Sequence, residues 1–424
     1  MRVVLASFGS FGDLNPHLGL GLALKAQGDQ PVLAVTRAYQ PLVEAAGLEC
    51  RPIRPDGDPA DQAVLSRVMD PIWGPQYLIR RLMMPNLRAM YDDLADATRN
   101  ADVVVSHPLT FAVPVFCEKH GLPWAASVLA PLSFFSRQDP PLSIPSPLAA
   151  SIHRRWPVAS SVFGAVGLAV TRSWTSAVQD LRRSVGLGRG ANPVGPGQFS
   201  PHGNLALFSS VLAQPQADWP AQTVVTGAVR YDANHGGMGE ELAEFLAQGP
   251  PPIVFTLGSA AVVTHQASHF YEVSAAAATD MGMRAVLLTG QLPENRPAVT
   301  SGNVFVTPWA PHSELFPQAA AIVHQGGAGT LHTALASGRP MVVVPFAHDQ
   351  PDNGERVFRL GVARVVYPQQ YTARRVRSEL EALLGNPETA GRAADVGAIV
   401  RAENGGATAA AELSRLTVQA SAGA

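Results

Sequence analysis

The strongest constraint on the fold is the alternation of short, continuous apolar runs with helical patterns along nearly the whole chain of 424 residues. The apolar runs are rich in β-branched residues throughout, which is typical of strands buried on both faces of a parallel sheet. They lie at 3–7, 31–36, 102–106, 123–129 and 205–209, and again at 253–257, 284–289, 303–307, 321–324 and 341–344. Helical patterns separate them, for example at 18–27, 329–337 and 353–360. The alternation predicts an α/β fold with parallel sheets.

The alternation is interrupted once, between Asp218-Trp219-Pro220 and Gly236-Gly237. We therefore predict two Rossmann-like domains that face each other across a cleft. The predicted parts are an N-terminal domain at 1–215, a linker at 216–238, a C-terminal domain at 239–404 and a C-terminal helix at 405–424 that packs back on the first domain. Open parallel sheets bind ligands beyond the carboxyl ends of their strands, so a ligand is expected in the cleft.

Charge and composition limit the classes of partner and the cellular compartment that we expect for this chain. Lys and Arg total 31 and Asp and Glu total 33, so no global field draws the chain onto nucleic acid or an anionic membrane. The longest apolar run, near 162–170, is about half the length of a membrane span. The two cysteines, Cys50 and Cys117, suit a reducing compartment. We expect a cytoplasmic monomer or homodimer with no nucleic-acid partner and no membrane span.

The segment His324-Gln325-Gly326-Gly327-Ala328-Gly329-Thr330 joins a predicted strand to a predicted helix. Small residues let backbone N–H groups approach an anion, and a helix N-terminus adds partial positive charge. The segment therefore predicts a diphosphate site that needs no metal. No Gly-Lys-Ser/Thr follows, and the glycines do not form a dinucleotide-binding fingerprint. A glycine-rich turn without a ligand is the alternative.

Two neighbouring segments add specificity. Trp309-Ala310-Pro311-His312 precedes the glycine-rich turn, and Asp349-Gln350-Pro351-Asp352-Asn353 follows the next strand. Together with the segment at 216–220, they resemble the nucleotide-sugar box of family 1 glycosyltransferases, which have the GT-B fold. The bacterial branch with rhamnosyltransferases and antibiotic and sterol glycosyltransferases is most similar. The resemblance covers nearly the whole chain but is loose between 55 and 200, where such enzymes recognise their acceptors.

This resemblance implies an inverting enzyme whose co-substrate is a nucleotide sugar and which has no metal cofactor. Trp309 would stack on the nucleobase, and the backbone of Ala310 would bind the base edge. Asp349 and Gln350 would bind the sugar. The residues implied at the nucleotide and diphosphate are Ser10, Ser259, His324, Gly326, Gly327, Gly329 and Thr330.

The acceptor hydroxyl needs a general base, and the resemblance points to the loop after the first strand. Gly12-Asp13 stands where related antibiotic and sterol enzymes have Gly-Asp, so Asp13 is the expected base. A helix-capping role is the alternative for Asp13, and His17, one turn later, is the second candidate base. Trp73, Phe134 and Phe135 are candidates for an apolar acceptor pocket, with ordinary core packing as the alternative.

Two departures from the plant pattern bear on the donor. His332 stands where plant members have a ribose-binding Glu, and His312 replaces the usual Gln. Loss of the ribose carboxylate favours a dTDP sugar, above all dTDP-L-rhamnose or another dTDP-deoxysugar, with UDP-glucose next. The alternative for His332 is a solvated helix residue. Rival functions are a nucleotide-sugar epimerase and a non-catalytic auxiliary protein that retains the fold.

Overall fold

A computed structural model describes residues 1–58, 61–231, 237–298 and 302–422. The described residues form two parallel sheets, each covered by helices, as predicted. The first sheet has the order β3-β2-β1-β4-β5-β6-β7, with β1 Arg2–Ala6, β2 Gln30–Ala34, β3 Glu49–Cys50, β4 Val103–Ser106, β5 Trp124–Val128, β6 Asn204–Ala206 and β7 Thr223–Val225. The second has the order β10-β9-β8-β11-β12-β13, with β8 Ile253–Thr256, β9 Ala285–Leu288, β10 Val304–Thr307, β11 Ala321–His324, β12 Met341–Val343 and β13 Ala363–Val365.

Helices connect the strands and cover both faces of each sheet. In the N-terminal half they are α1 Phe11–Ala26, α2 Gln40–Ala45, α3 Gln62–Val68, α4 Gly74–Tyr77, α5 Leu87–Ala97, α6 Ala112–His120, α7 Pro147–Arg155, α8 Pro157–Trp174 and α9 Ser176–Ser184. In the C-terminal half they are α10 Glu240–Ala247, α11 Gly258–Ala261, α12 Ala267–Asp280, α13 His312–Leu315, α14 Ala328–Ser337, α15 Gln350–Arg359, α16 Ala373–Leu384, α17 Pro387–Ala402 and α18 Gly405–Ala422.

The central strand β1 shows why its apolar run is continuous. β1 pairs in parallel with β2 on one side and β4 on the other, and Val4 lies opposite both Val32 and Val104. Val4 packs into the core on one face of the sheet, whereas Val3 and Leu5 pack into the core on the other face. Both faces of the strand are therefore apolar, because helices cover both.

Three strands carried no recognisable sequence pattern, and all three lie at sheet edges. β3, β7 and β13 have two or three residues each and are largely half-buried, so they lack the continuous apolar run of a central strand. β7 lies inside the segment 216–238 that the sequence suggested as a linker, and it extends the first sheet by pairing with β6. Residues 232–236 of that segment lie outside the described residues.

The C-terminal helix α18 returns to the N-terminal half of the chain and packs against α1. Its Leu413 and Leu416 are buried in the same core as Leu14 and Leu18 of α1. Residues 423–424 of the predicted C-terminal helix lie outside the described part of the chain.

The two halves are also joined along α15. Arg356 of α15 is buried and pairs with Asp139 of the N-terminal half and with Asp352 one turn earlier. Glu355 pairs with Arg154 at 2.8 Å, and the Asp352 carboxylate accepts a hydrogen bond from the Leu142 N–H at 3.1 Å. These contacts fix the start of α15 relative to the first sheet.

Candidate active site

A cavity of about 1860 Å³ lies between the two sheets. Its wall combines the turns after β1 and β4 of the first sheet with the turns after β8, β11 and β12 of the second. These are the carboxyl ends of parallel strands, as expected for a ligand site in this architecture. These turns contribute polar groups to the wall, the segment 56–61 adds three aspartates, and apolar side chains of the N-terminal half line much of the rest.

Asp13 lies in the first turn of α1 and forms a capping box with Ser10. The Ser10 hydroxyl accepts a hydrogen bond from the Gly12 N–H at 3.2 Å, and the Asp13 carboxylate accepts one from the Ser10 N–H at 2.7 Å. Gly9 has φ of +140°, and a Cβ there would lie 2.1 Å from the Asp13 carboxylate, so this position requires glycine. Asp13 therefore has the capping role and also faces the cavity.

His107 is the partner of Asp13 that the sequence did not reveal. It follows β4 directly, and its Nδ1 accepts a hydrogen bond from the Leu109 N–H at 3.3 Å. The proton therefore resides on Nε2, which lies 3.3 Å from Asp13 Oδ1. Burial alone would raise the pKa of Asp13, but His107 and Ser10 outweigh it, and the pKa is lowered from 3.8. Asp13 is ionised at neutral pH. A histidine directly after a buried strand was the available signal.

His17, the second candidate base, does not reach the cavity, which corrects that expectation. Its side chain is fully buried, with Nδ1 2.7 Å from the Asp13 carbonyl oxygen and Nε2 2.9 Å from Ser127 Oγ. Burial is the main cause that lowers the pKa of His17 to about 4, so the ring is neutral. Its hydrogen bonds tie α1 to β5, which is a structural role.

The glycine-rich turn joins β11 to α14 as predicted. Gly326 has φ of +88°, and a Cβ there would lie 2.8 Å from Val343 on β12, so the turn requires glycine. Gly327 precedes α14 and makes no side-chain cap bond. Gly327, Gly329 and Thr330 all lie on the cavity wall. The N-terminal N–H groups of α14 therefore lie beside the cavity, where the sequence predicts the diphosphate.

The structure does not bring the His324 side chain to the cavity wall, where its contact with the diphosphate was expected. The ring is fully buried, its Nδ1 accepts the Gly326 N–H at 3.1 Å, and its Nε2 lies 3.3 Å from Met341 Sδ. Burial, followed by the charge of His312, lowers the pKa of His324 to about 3. His324 is a neutral residue that shapes the glycine-rich turn from beneath.

Gln325 lies on the cavity wall instead, although no sequence motif assigned it a role. Its side chain is 6% exposed, and its Oε1 is buried without a hydrogen-bond partner. Its Nε2 lies 3.5 Å from Thr330 Oγ1. Leaving a buried polar atom unpaired costs about 1–3 kcal/mol, so this carboxamide is available to a ligand at the start of α14.

The nucleobase candidates lie on the second sheet. Trp309 follows β10, lies on the cavity wall and is 44% exposed, which suits a ring that stacks on a ligand. Ala310 is largely buried but also lines the cavity, and Ser259 lies on the wall at the start of α11. His312 stacks on Phe316 with ring centroids 4.4 Å apart and also borders the cavity.

Asp349 and Gln350 lie on the wall at the start of α15, as expected. The Asp349 carboxylate accepts a hydrogen bond from Asn353 at 2.7 Å. Burial, followed by the charge of Asp13, raises the pKa of Asp349 to about 7. The Gln350 Oε1 accepts the N–H groups of Phe346 at 2.8 Å and Ala347 at 3.2 Å. Its carbonyl oxygen therefore supports the loop after β12.

His332 is buried, which corrects its description as a solvated helix residue. Its Nδ1 lies 2.7 Å from the Ala328 carbonyl oxygen, and its Nε2 accepts the Ser209 N–H at 3.1 Å. Ser209 follows β6, so this bond joins the two halves of the chain. Burial is the main cause that lowers the pKa of His332 to about 4.

Two of the three acceptor candidates do not line the cavity. Trp73 is 65% exposed on the outer surface, while its neighbour Ile72 is on the wall. Phe134 is buried in the core and stacks on Trp219 with centroids 3.9 Å apart. Phe135 lies on the wall as expected. Most of this part of the wall is aliphatic, including Leu65, Val68, Leu78, Ile79, Leu109, Leu132, Leu148 and Ile152.

Three further properties concern the part of the chain that the structure describes. In it, no helix is long and apolar enough to cross a membrane. No group of three or more His, Cys, Asp or Glu side chains is arranged there to hold a metal ion. Neither Cys50 nor Cys117 lies on the cavity wall.

Known proteins are similar to this chain in sequence and in architecture. Residues 275–416 match the family described as the erythromycin biosynthesis protein CIII-like C-terminal domain. The chain is 32% identical to the O-mycaminosyltylonolide 6-deoxyallosyltransferase of Streptomyces fradiae over 96% of this chain and 95% of that protein. In structure it resembles the kitacinnamycin glycotransferase, with a TM-score of 0.72, 23% identity and coverage of 98% and 99%. It also resembles the glycosyltransferase VinC in complex with dTDP, with a TM-score of 0.67, 19% identity and coverage of 99% and 100%.

Proposed function

Because the chain belongs to the antibiotic-type family 1 glycosyltransferases, which have the GT-B fold and use nucleotide sugars, we propose that its donor is a dTDP-deoxysugar and its acceptor a large apolar molecule. L-Rhamnose is the first sugar to test, and UDP-glucose is the second donor. The relative from Streptomyces fradiae is named as a transferase of 6-deoxyallose, which supports a deoxyhexose. It is named a transferase and not an epimerase.

His332 is the observation that carries the choice of dTDP. A uridine nucleotide presents a 2′-hydroxyl that plant members bind with a carboxylate at this position. Here both nitrogens of His332 are occupied, by the Ala328 carbonyl and the Ser209 N–H. The ring therefore offers no acceptor for a 2′-hydroxyl, and a 2′-deoxyribose leaves no polar group unpaired. The complex of VinC with dTDP is consistent with this choice.

The proposed reaction divides the site between the two sheets. Asp13 accepts the proton of the acceptor hydroxyl while the hydroxyl oxygen attacks the anomeric carbon. The bond from that carbon to the diphosphate oxygen breaks, and the leaving dTDP carries away its electrons. Attack opposite the diphosphate inverts the anomeric centre. His107 holds the Asp13 carboxylate toward the acceptor, and the N–H groups at the start of α14 stabilise the leaving charge.

The N-terminal part of the cavity supports a large apolar acceptor. The whole cavity, which would hold the donor and the acceptor together, has a volume of about 1860 Å³, above the usual 300–1,000 Å³ of a small-molecule pocket. Its aliphatic wall offers burial to a hydrocarbon skeleton, and Asp13 stands where that skeleton meets the donor half. Macrolides, flavonoids, other phenolics and hydroxylated lipids are the classes to screen.

A calorimetric titration of the purified enzyme with dTDP and with UDP, in the presence of EDTA, tests the donor proposal. We expect dTDP to bind at least as tightly as UDP. A tenfold or greater preference for UDP would contradict the role of His332. Transfer from dTDP-L-rhamnose should also survive EDTA, since the helix N-terminus supplies the positive charge. Loss of transfer with rescue by Mg²⁺ would contradict the diphosphate assignment.

A further inference from the structure

The cavity wall is electrostatically unusual for a site that takes a diphosphate. Among the described residues the wall carries five carboxyl groups, those of Asp13, Asp56, Asp58, Asp61 and Asp349. In the same set, Arg230 is the only Lys or Arg. A helix N-terminus is equivalent to only about half of an elementary charge. A nucleoside diphosphate therefore enters a largely acidic cavity in which one full positive charge is available.

Arg230 lies beside α1 and α14, the two helices whose N-termini face the cavity. It follows β7 in the segment that leads from the first sheet to the second. A Cβ added to Gly19 of α1 would lie 3.2 Å from the Arg230 carbonyl oxygen, so its backbone crosses that helix. On the other side, its charge helps to lower the pKa of His332, one turn beyond the start of α14.

The guanidinium of Arg230 is not committed to another group in the described part of the chain. Its side chain is exposed, and no described residue gives it a hydrogen bond or ion pair. By contrast, Arg356 and Arg154, which also lie between the two halves, are paired with Asp139 and Glu355. A free guanidinium on a cavity wall can bind phosphate oxygens in a bidentate way without first breaking an ion pair.

We propose that Arg230 binds the diphosphate of the donor nucleotide and neutralises the charge that the acidic wall would otherwise repel. This inference rests on the proposed function, since it takes the ligand to be a nucleoside diphosphate. The α14 N-terminus supplies directed N–H groups, and Arg230 supplies the full charge. Arg230 also belongs to the segment that joins the sheets, so binding of the donor engages both halves of the chain.

Calorimetric titrations in EDTA with dTDP and with thymidine test this role. We expect Arg230→Ala to weaken dTDP binding by about 10- to 100-fold, the usual value for a charge-assisted hydrogen bond. Thymidine, which has no phosphate, should bind the variant as it binds the wild type. Arg230→Lys should restore part of the affinity for dTDP. The salt dependence of dTDP binding should also weaken in Arg230→Ala.

Arg374→Ala is the matched control. Arg374 is exposed on α16 and lies outside the cavity wall, so its loss removes one charge from the chain without touching the site. We expect wild-type dTDP binding in this variant. Unchanged dTDP binding in Arg230→Ala, or an equal loss for thymidine, would overturn the inference. Failure of the wild type itself to bind dTDP or UDP would instead contradict the proposed function.

Discussion

The two helices that face each other across the cavity begin in opposite ways. Both α1 and α14 follow a central strand, and Gly12 and Gly329 are neighbours across the gap. The start of α1 is closed by its own side chains, because Ser10 and Asp13 form a capping box. The start of α14 has no side-chain cap and is built from glycines. One helix end thus carries its own carboxylate, and the other leaves its N–H groups for a ligand.

The difference explains how one strand–turn–helix unit serves two chemical roles. A carboxylate at a helix N-terminus is stabilised as an anion, and His107 adds to this at Asp13. A helix N-terminus without its own anion attracts the anion of a substrate. We therefore expect substitutions at the two ends to affect different steps: proton removal at α1 and donor binding at α14.

The largest effect is expected from Asp13→Asn. Loss of a general base lowers turnover by about 10²–10⁴, and alcohol acceptors should suffer more than acidic phenols. Donor affinity should hardly change, since Asp13 does not hold the nucleotide. Measuring turnover at saturating donor alongside dTDP affinity separates a loss of proton removal from a loss of donor binding. Near-full turnover in this variant would leave Asp13 with the capping role alone.

Gly327→Asp gives the start of α14 its own carboxylate, at the N-cap position that Ser10 occupies in α1. A Cβ at Gly327 would lie 2.8 Å from Nε2 of Gln325, the far end of a flexible side chain that can move aside. Asp replaces Gly before a helix with only a small change in stability. Placing a like charge beside the diphosphate costs several kcal/mol, so dTDP affinity should fall by about 10²–10³.

The neutral Gly327→Asn is the control for size, and its loss of dTDP affinity should be clearly smaller. Melting temperatures of both variants should remain near that of the wild type. Equal affinity losses in Gly327→Asn and Gly327→Asp would show that space, and not charge, limits the site. Wild-type affinity in Gly327→Asp would remove the anion site from α14.

Trp309→Ala should weaken dTDP binding by about 1–3 kcal/mol, the value of a base–aromatic stack. The ring is nearly half exposed, so its removal leaves the core intact. The loss should be the same for thymidine, which distinguishes stacking from charge neutralisation. A folded variant with unchanged affinity for both ligands would show that Trp309 does not contact the base.

The smallest expected effect is on the pH dependence of stability. It arises from the carboxyl groups of Asp13 and Asp349, which both lie on the cavity wall. The pKa of Asp13 is lowered from 3.8, so its ionised form stabilises the fold at pH values above 3.8 and this stability is lost as the pH falls. The pKa of Asp349 is raised from 3.8 to about 7, so the folded state retains a proton that the unfolded state loses. The Asp349 contribution therefore decreases as the pH rises from about 4 to about 7.

Urea unfolding at pH 5 and pH 8 checks these opposite signs. Asp349→Asn should stabilise the protein relative to the wild type, and more at pH 8 than at pH 5. Asp13→Asn should destabilise it by a similar amount at both values. A pH-independent effect of Asp349→Asn would contradict the raised pKa.

The parts of the fold and site that local sequence fixes were predictable. The central strands were visible because helices cover both faces, and the glycine-rich turn was visible because only glycines allow its backbone. Asp13, Asp349 and Trp309 lie in the turns or helix starts that come after strands, so their place at the cavity followed from topology. The edge strands β3, β7 and β13 were missed because they are too short to show a pattern.

The directions of individual side chains could not be read from the sequence. His17 and His324 belong to the expected segments, but tertiary packing turns both rings into the core. Phe134 stacks on Trp219, and the sequence separates these two residues widely. His107 gains its role only when the turn after β4 meets α1, and Gln325 only when Gly258, after β8, lies beside the glycine-rich turn. The directions of these side chains depend on rotamers and long-range contacts, which local sequence patterns do not show.

Titration of dTDP into three proteins in EDTA tests the central claim most directly, since it compares the two helix ends with one ligand. The division of roles predicts that the wild type and Asp13→Asn bind dTDP with nearly equal affinity. Gly327→Asp should bind it at least 10²-fold more weakly. An equal loss in Asp13→Asn and Gly327→Asp, or no binding to the wild type, would contradict the account.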